Sequence, residues 1–313
     1  MTSPCRMYGV PNPERVHVDV GGRTLQLSNL DKVLYPDEGF TKGQVIEYYA
    51  RIADVLLPHL AGRPLTVKRY PDGVDGKFFF EKNVPSHAPA WVRSVELPSP
   101  GSSKQRDIVR YALVDDLPTL IWLANLAALE LHVPQWTVGP RGGVHGADLM
   151  VFDLDPGPPA TIVDCAQVAG VVRELLDDDG LQAWAKTSGS KGMQLYVPLE
   201  EVDPQRTWEY SRRLAQRAAK EHPDRIVWQM TKSLRGGKVL IDWSQNSASK
   251  TTVAPYSLRA RPSPTVSTPL TWKEIEACRT AVDLRFTSDE VLQRVDEHGD
   301  LFEPLRGPGF ALP

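Results

Sequence analysis

The chain has 313 residues, 41% hydrophobic and 24% charged, with a formal net charge of -3. That is an ordinary globular balance, with enough length for a substantial core. No apolar run approaches a membrane span, Met1 to Val10 has no apolar signal core, and Cys5, Cys165 and Cys278 form neither a disulfide framework nor a zinc spacing. A cytosolic protein, not a helical membrane protein or a disulfide scaffold, is expected.

In chain order, Val16 to Leu27 alternates as a strand pair turning at Gly21-Gly22. Gly43 to Leu60 carries Val45, Ile46, Tyr49, Ile52, Val55 and Leu56 at helical spacing. Leu65 to Tyr70 and Phe78 to Phe80 read as short strands around the turn Pro71-Asp72-Gly73. Leu117 to Leu131 reads as one buried helix with His132 at its end, and Asp148 to Leu154 as a buried strand ending at Pro156-Gly157. A helix over Thr161 to Asp178, a strand over Gln194 to Pro198 and a helix over Pro204 to His222 follow. Strands near Ile226 to Met230 and Val239 to Trp243 come next, then Pro262 to Pro269 as an extended surface strap. Strands and helices mix without a βαβ beat, so the fold class is α+β, or mixed α/β.

Net charge hides an asymmetry. Trp228 to Arg261 holds Lys232, Arg235, Lys238, Lys250, Arg259 and Arg261 against Asp242 alone, a stretch suited to a polyanion. Lys273 to Glu303 holds four bases against nine acids and reads as a solvated helical surface.

Four groups of residues carry chemistry. In Phe152-Asp153-Leu154-Asp155-Pro156-Gly157 a strand delivers two carboxylates two residues apart, pointing the same way. Their repulsion is relieved by a divalent cation, and two cations about 4 Å apart can serve in-line phosphoryl transfer. The same spelling also fits a strand-end turn whose aspartates cap a helix. The segment Lys186-Thr187-Ser188-Gly189-Ser190-Lys191-Gly192 fits either a phosphate-binding loop or a polar turn; it is not a P-loop. Asp242 lies in an apolar strand pattern and needs a metal or a base, with Lys238 and Lys250 as candidate salt-bridge partners. Near the N-terminus, Lys32, Lys42, Lys68 and Arg69 accompany Phe78-Phe79-Phe80, a combination suited to stacking on bases. Alternation expects at least one of the three phenylalanines in the core. His132 alone reads as structural or as a ligand.

Together these motifs resemble the polymerase domain of bacterial DNA ligase D, in the archaeo-eukaryotic primase superfamily, from about Val16 to Leu305. The resemblance rests on Leu27-Ser28-Asn29-Leu30-Asp31-Lys32-Val33-Leu34-Tyr35-Pro36, Phe79-Phe80-Glu81-Lys82-Asn83, Phe152 to Gly157, Thr187 to Gly192, Asp242-Trp243-Ser244-Gln245-Asn246 and Pro255-Tyr256-Ser257-Leu258-Arg259. It implies a primase-polymerase core of central β-sheets flanked by helices. One domain over residues 1–313 is expected, with an N-terminal subdomain at 16–135 and a catalytic subdomain at 145–305.

The resemblance implies roles as well. Asp153, Asp155 and Asp242 would be catalytic and hold two ions, Mn²⁺ or Mg²⁺. His132, Ser188, Lys191, Lys232, Arg235, Gln245 and Arg259 would surround the incoming NTP or dNTP. Asn29, Lys32 and Lys42 would grip the 5′-phosphate of a gap or broken end, and Lys68, Phe79 and Phe80 would meet the template. Where the family reads Lys-Gly-Leu-His, this chain has Lys191-Gly192-Met193-Gln194, so Gln194 replaces a charged phosphate ligand with an uncharged donor. The sequence holds no ligase or nuclease module, so a free-standing bacterial polymerase, associated with the nucleoid and served by a separate DNA ligase and an end-binding protein, is expected. A primase starting chains de novo and a non-catalytic DNA-end binding module are the alternatives.

Overall fold

The computed structural model describes residues 15–98 and 108–313. The signal-peptide reading of Met1 to Val10, and Cys5, lie outside these residues. Two sheets organise the described residues. The first runs in the order Ile226–Val227, Val239–Asp242, Val144–Pro156, Met193–Val202, Trp184–Thr187, Pro269–Leu270, with Trp136–Val138 also paired to Val144–Pro156. All its pairings are antiparallel except Ile226–Val227 with Val239–Asp242. The second, four-stranded sheet runs Thr252–Val253, Ala128–Val133, Thr66–Arg69, Phe79–Glu81.

Strand alternation assigns the faces of the first sheet. Met150, Phe152 and Leu154 join Met193, Leu195, Val197, Val239 and Ile241 in one core with Cys165, Val168, Val172, Leu214 and Ala218 of the helices Ile162–Asp178 and Pro204–Glu221. Val151, Asp153 and Asp155 therefore point to the other face. Helix Ile162–Asp178 starts at Thr161, whose hydroxyl accepts from Val163 N while Asp164 accepts from Thr161 N. A second core holds the helix Lys42–Leu60 through Val45, Tyr49, Ile52 and Leu56, with Leu120 and Leu123 of helix Leu117–Asn125 and Leu129 and Leu131 of the second sheet.

Three expectations are corrected. The apolar run from Leu117 is not one helix: the helix ends at Asn125, Ala127 takes a left-handed φ of 57°, and Ala128–Val133 is a strand. The strand is buried along nearly its whole length, so no alternation betrayed the change of period. His132 accordingly sits on a strand. None of Phe78, Phe79 and Phe80 is in the core; they are 51%, 40% and 51% exposed, because the strand Phe79–Glu81 is the edge of its sheet. The strap from Pro262 is extended, but Thr265 to Leu270 is buried: Val266 enters the core shared with helix Lys42–Leu60, and Ser267 pairs by backbone with Tyr256 and Ser257. The acidic stretch after Lys273 is mostly exposed, as expected, apart from Glu274 and Asp300, which pair with Arg294 and His59.

Candidate active site

Asp153 lies opposite Asp242 across the strand pair, and Asp155 follows on the same face. Oxygen atoms of the three carboxylates lie within 4.8 Å of one another. Among the described residues, no basic side chain bonds any of them. Asp242 accepts from Ser244 N at 3.0 Å, from Ser244 Oγ at 2.5 Å and from Gln245 Nε2 at 2.8 Å. Lys250 stops at Ser244 Oγ, 2.5 Å away, and Lys238 turns to the Pro223 carbonyl, so the salt-bridge alternative for Asp242 is not realised. Burial, then the charges of Asp155 and Asp242, push Asp153 up to about 7, against a hydrogen bond from Gln194. Burial and Asp242 raise Asp155 as well, with Arg235 opposing. Three clustered carboxylates that cannot all ionise at ease form an oxygen-only donor set suited to a hard divalent cation.

Two close backbone approaches shape the site. A Cβ at Gly192 would stand 2.0 Å from the Leu154 carbonyl oxygen, and one at Gly157 1.9 Å from that of Arg235. Glycine at these positions lets the Ser188–Gly192 turn and the Arg235 loop lie against the aspartate strand. Inside the turn, Ser188 Oγ accepts from Ser190 N and Gly192 N, both at 3.3 Å. Arg259 donates to the Ser188 carbonyl and lies 3.3 Å from Glu130 Oε1. Glu130 is buried and also receives His132 Nε2 at 3.0 Å and Ala260 N at 3.1 Å. Burial raises the Glu130 carboxyl, but the His132 hydrogen bond, Arg259 and Lys68 outweigh it and bring it to about 2. Burial holds the His132 ring below its ordinary value. Lys191 and Lys232 are exposed and form no ion pair among the described residues, while Arg235 donates to the Met230 carbonyl at 2.7 Å. Gln245 is engaged by Asp242, and Gln194 by Asp153 at 3.0 Å.

The second sheet adds an aromatic platform. Lys68 Nζ lies 4.0 Å from the centre of the Phe78 ring and within cation–π reach of Tyr70 and Phe80. Arg69 covers Phe79 at 5.1 Å while pairing with Glu81, and Phe80 meets His132 edge to face at 6.0 Å. Asn29, Lys32 and Lys42 are drawn together by backbone bonds from Lys32 N to Asn29 O and from Lys42 N to Lys32 O. Lys42 is the first residue of its helix, buried, with Nζ 2.5 Å from the Ser28 carbonyl. Burial first, then Lys32 and Arg69, lower it to about 8. A cation held at a helix N-terminus with like charges for neighbours favours an anion.

This arrangement has close parallels. The family model described as "LigD, primase-polymerase domain" matches residues 41–302. The chain belongs to this family. It is 46% identical over 282 residues to the multifunctional non-homologous end joining protein LigD of Mycolicibacterium smegmatis, covering 90% of this chain and 36% of the relative. It is 34% identical to the bifunctional non-homologous end joining protein LigD of Bacillus subtilis, covering 91% of this chain and 44% of the relative. The chain thus spans less than half the length of these curated relatives. A solved structure, the polymerase domain from Mycobacterium tuberculosis ligase D in complex with DNA, superposes with a TM-score of 0.83 at 46% identity, covering 90% of this chain and 97% of that one. The fold is that of a LigD polymerase domain. No helix among the described residues is long and apolar enough to cross a membrane.

Sequence reading did not single out Glu130 or Lys186. A carboxylate inside the apolar run from Leu117 was the available signal for Glu130. Lys186, between apolar Ala185 and the polar turn, is wholly buried.

Proposed function

We propose that the chain is a template-directed repair polymerase that adds ribo- or deoxyribonucleotides to primer 3′ ends at short gaps or broken ends bearing a 5′-phosphate. The convergence of Asp153, Asp155 and Asp242 within 4.8 Å, without a cation of the protein's own, supports this reading most. These residues would hold Mn²⁺ or Mg²⁺, and such ions would activate the primer hydroxyl and stabilise charge on the phosphates. Arg259, aimed at the Ser188 turn, with exposed Lys191 and Lys232 and half-buried Arg235, provides cations for a triphosphate. Ser188 and His132 line the same region, where His132 can donate to the sugar or a phosphate. Gln245 acts at one remove by holding Asp242.

Phe79, Phe80 and Lys68 form a platform on which template bases stack, because rings exposed at a sheet edge and backed by cations accept any base. Asn29, Lys32 and Lys42 grip the downstream 5′-phosphate. We read residues 1–313 as one catalytic domain with lobes at 16–135 and 145–305. The two cores support this, with residues of Ala254 to Val266 and Val291 and Leu292 returning to the first. The names of the relatives support end joining as the setting, on the bacterial chromosome, with a DNA ligase sealing the product and an end-binding protein delivering the ends.

The test is extension of a 5′-phosphorylated gap with rNTP or dNTP under Mg²⁺ or Mn²⁺. Wild type should add nucleotides, faster with the 5′-phosphate than without. Equal rates on phosphorylated and unphosphorylated gaps would remove the phosphate pocket from this account.

A further inference from the structure

Consecutive strands set Lys186, Gln194, Asp153 and Asp242 in one cross-strand row. Lys186 is fully buried yet touches no carboxylate. Its Nζ donates to Gln194 Oε1 at 2.6 Å and to Ser267 Oγ at 2.6 Å. Ser267 gives its own proton to the Thr187 carbonyl at 2.9 Å, so it meets the lysine as an acceptor. The Tyr196 hydroxyl donates to the same Gln194 Oε1 at 3.2 Å and is held on its far side by Thr252 Oγ1 at 2.8 Å. Gln135 in turn donates to that threonine at 2.9 Å.

These donors decide the orientation of an amide that could otherwise flip. With Nζ at one end and the Asp153 carboxylate at the other, the first end must be the carbonyl oxygen, since a reversed amide would set an N–H against the Lys186 donors and its oxygen against the carboxylate. The NH₂ end is thereby turned to Asp153 Oδ1, 3.0 Å away. The amide links Lys186 to a carboxylate that the lysine does not touch, and among the described residues it engages one Asp153 oxygen only.

We propose that Gln194, oriented by Lys186 and Tyr196, is a positioning residue that sets Asp153 for metal binding, and that it does not contact the nucleotide phosphates. The proposal rests on the reading of Asp153, Asp155 and Asp242 as the metal site. A ligand-orienting group of this kind typically changes metal affinity or activity by about 10–100-fold when lost.

The experiment is Mn²⁺ binding to the full chain without nucleotide, followed by steady-state extension, for wild type, Asp153→Ala, Gln194→Met and Tyr196→Phe. Asp153→Ala should abolish tight Mn²⁺ binding. If it does not, the metal-site reading fails, and this proposal with it. Given that loss, Gln194→Met should bind Mn²⁺ roughly tenfold more weakly. Its kcat should fall in proportion at sub-saturating Mn²⁺ and recover as Mn²⁺ is raised, with KM for the nucleotide within about twofold at saturating Mn²⁺. Unchanged Mn²⁺ affinity with a raised nucleotide KM would overturn the proposal while leaving the metal site standing. Thermal unfolding reports whether Gln194→Met is folded. If it is not, Tyr196→Phe, which changes no charge, decides: about threefold weaker Mn²⁺ binding supports the proposal, and unaltered binding overturns it.

Discussion

The two sheets treat charge in opposite ways. The first gathers Asp153, Asp155 and Asp242 on one face and gives them hydroxyl, amide and backbone donors but no cation. The second supplies cations generously, yet sets Lys68 and Arg69 against aromatic rings and turns those rings to solvent. On the proposed function, the first would be completed by a cation and the second by something flat and anionic. A site that joins nucleotides on a template needs both deficits side by side, and Arg259 bridges them by reaching Ser188 from one side and Glu130 from the other.

That bridge is the place to break the comparison. Arg259→Ala removes the guanidinium that, after the His132 hydrogen bond, compensates the buried Glu130, and should cost about 3–5 kcal/mol of stability, as for an uncompensated buried charge. Urea denaturation measures it, and Arg259→Ala with Glu130→Gln should recover part of the loss. Acid sharpens the same point. Glu130 is depressed to about 2 in the fold, so its stabilisation is complete above its unfolded value near 4.5 and is lost as pH falls towards 2. Glu130→Gln should flatten that limb of the stability curve.

The platform should respond without the fold. Phe79→Ala and Phe80→Ala should each weaken binding of single-stranded template by about 1–3 kcal/mol, read by fluorescence anisotropy. Their melting temperatures should barely move, because the rings are exposed. The aspartate sheet makes the contrary prediction. Asp153 is raised towards 7 in the metal-free fold, so the stability it contributes is present below its unfolded value near 3.8 and lost as pH rises through 7. Metal-free protein should therefore become less stable between pH 4 and pH 8, and added Mn²⁺ should reverse the trend. The smallest effect is at Lys42. Its ammonium is lost near pH 8, so preference for a 5′-phosphate over a 5′-hydroxyl should shrink severalfold between pH 7 and pH 9.

Much of this was legible in the sequence, for identifiable reasons. The Asp153–Asp155 spacing fixes two carboxylates on one face of any strand, and the strand was announced by its apolar run. Helix Lys42–Leu60 was legible because its apolar positions recur with the helical period. The strand Ala128–Val133 was not, because burial on both faces erases alternation and the turn at Ala127 carries neither glycine nor proline. Phe78 to Phe80 defied alternation because an edge strand has no obligation to bury either face. Glu130 and Lys186 were not singled out because Arg259 and Ser267, which pair with them, lie far away in sequence. Gln194 was legible as a substitution, but its engagement with Lys186 and Asp153 exists only in the cross-strand register.

The central claim is that three aspartates from two neighbouring strands make a metal-dependent nucleotidyl-transfer site. Single-nucleotide addition to a 5′-phosphorylated gap, with Mn²⁺, by wild type and by Asp153→Ala with Asp155→Ala tests it most directly. The account predicts a loss of roughly a thousandfold or more, the kinetic equivalent of several kcal/mol of transition-state stabilisation, with a folded protein that still binds the gap. Extension retained within tenfold of wild type by that folded double variant would contradict it.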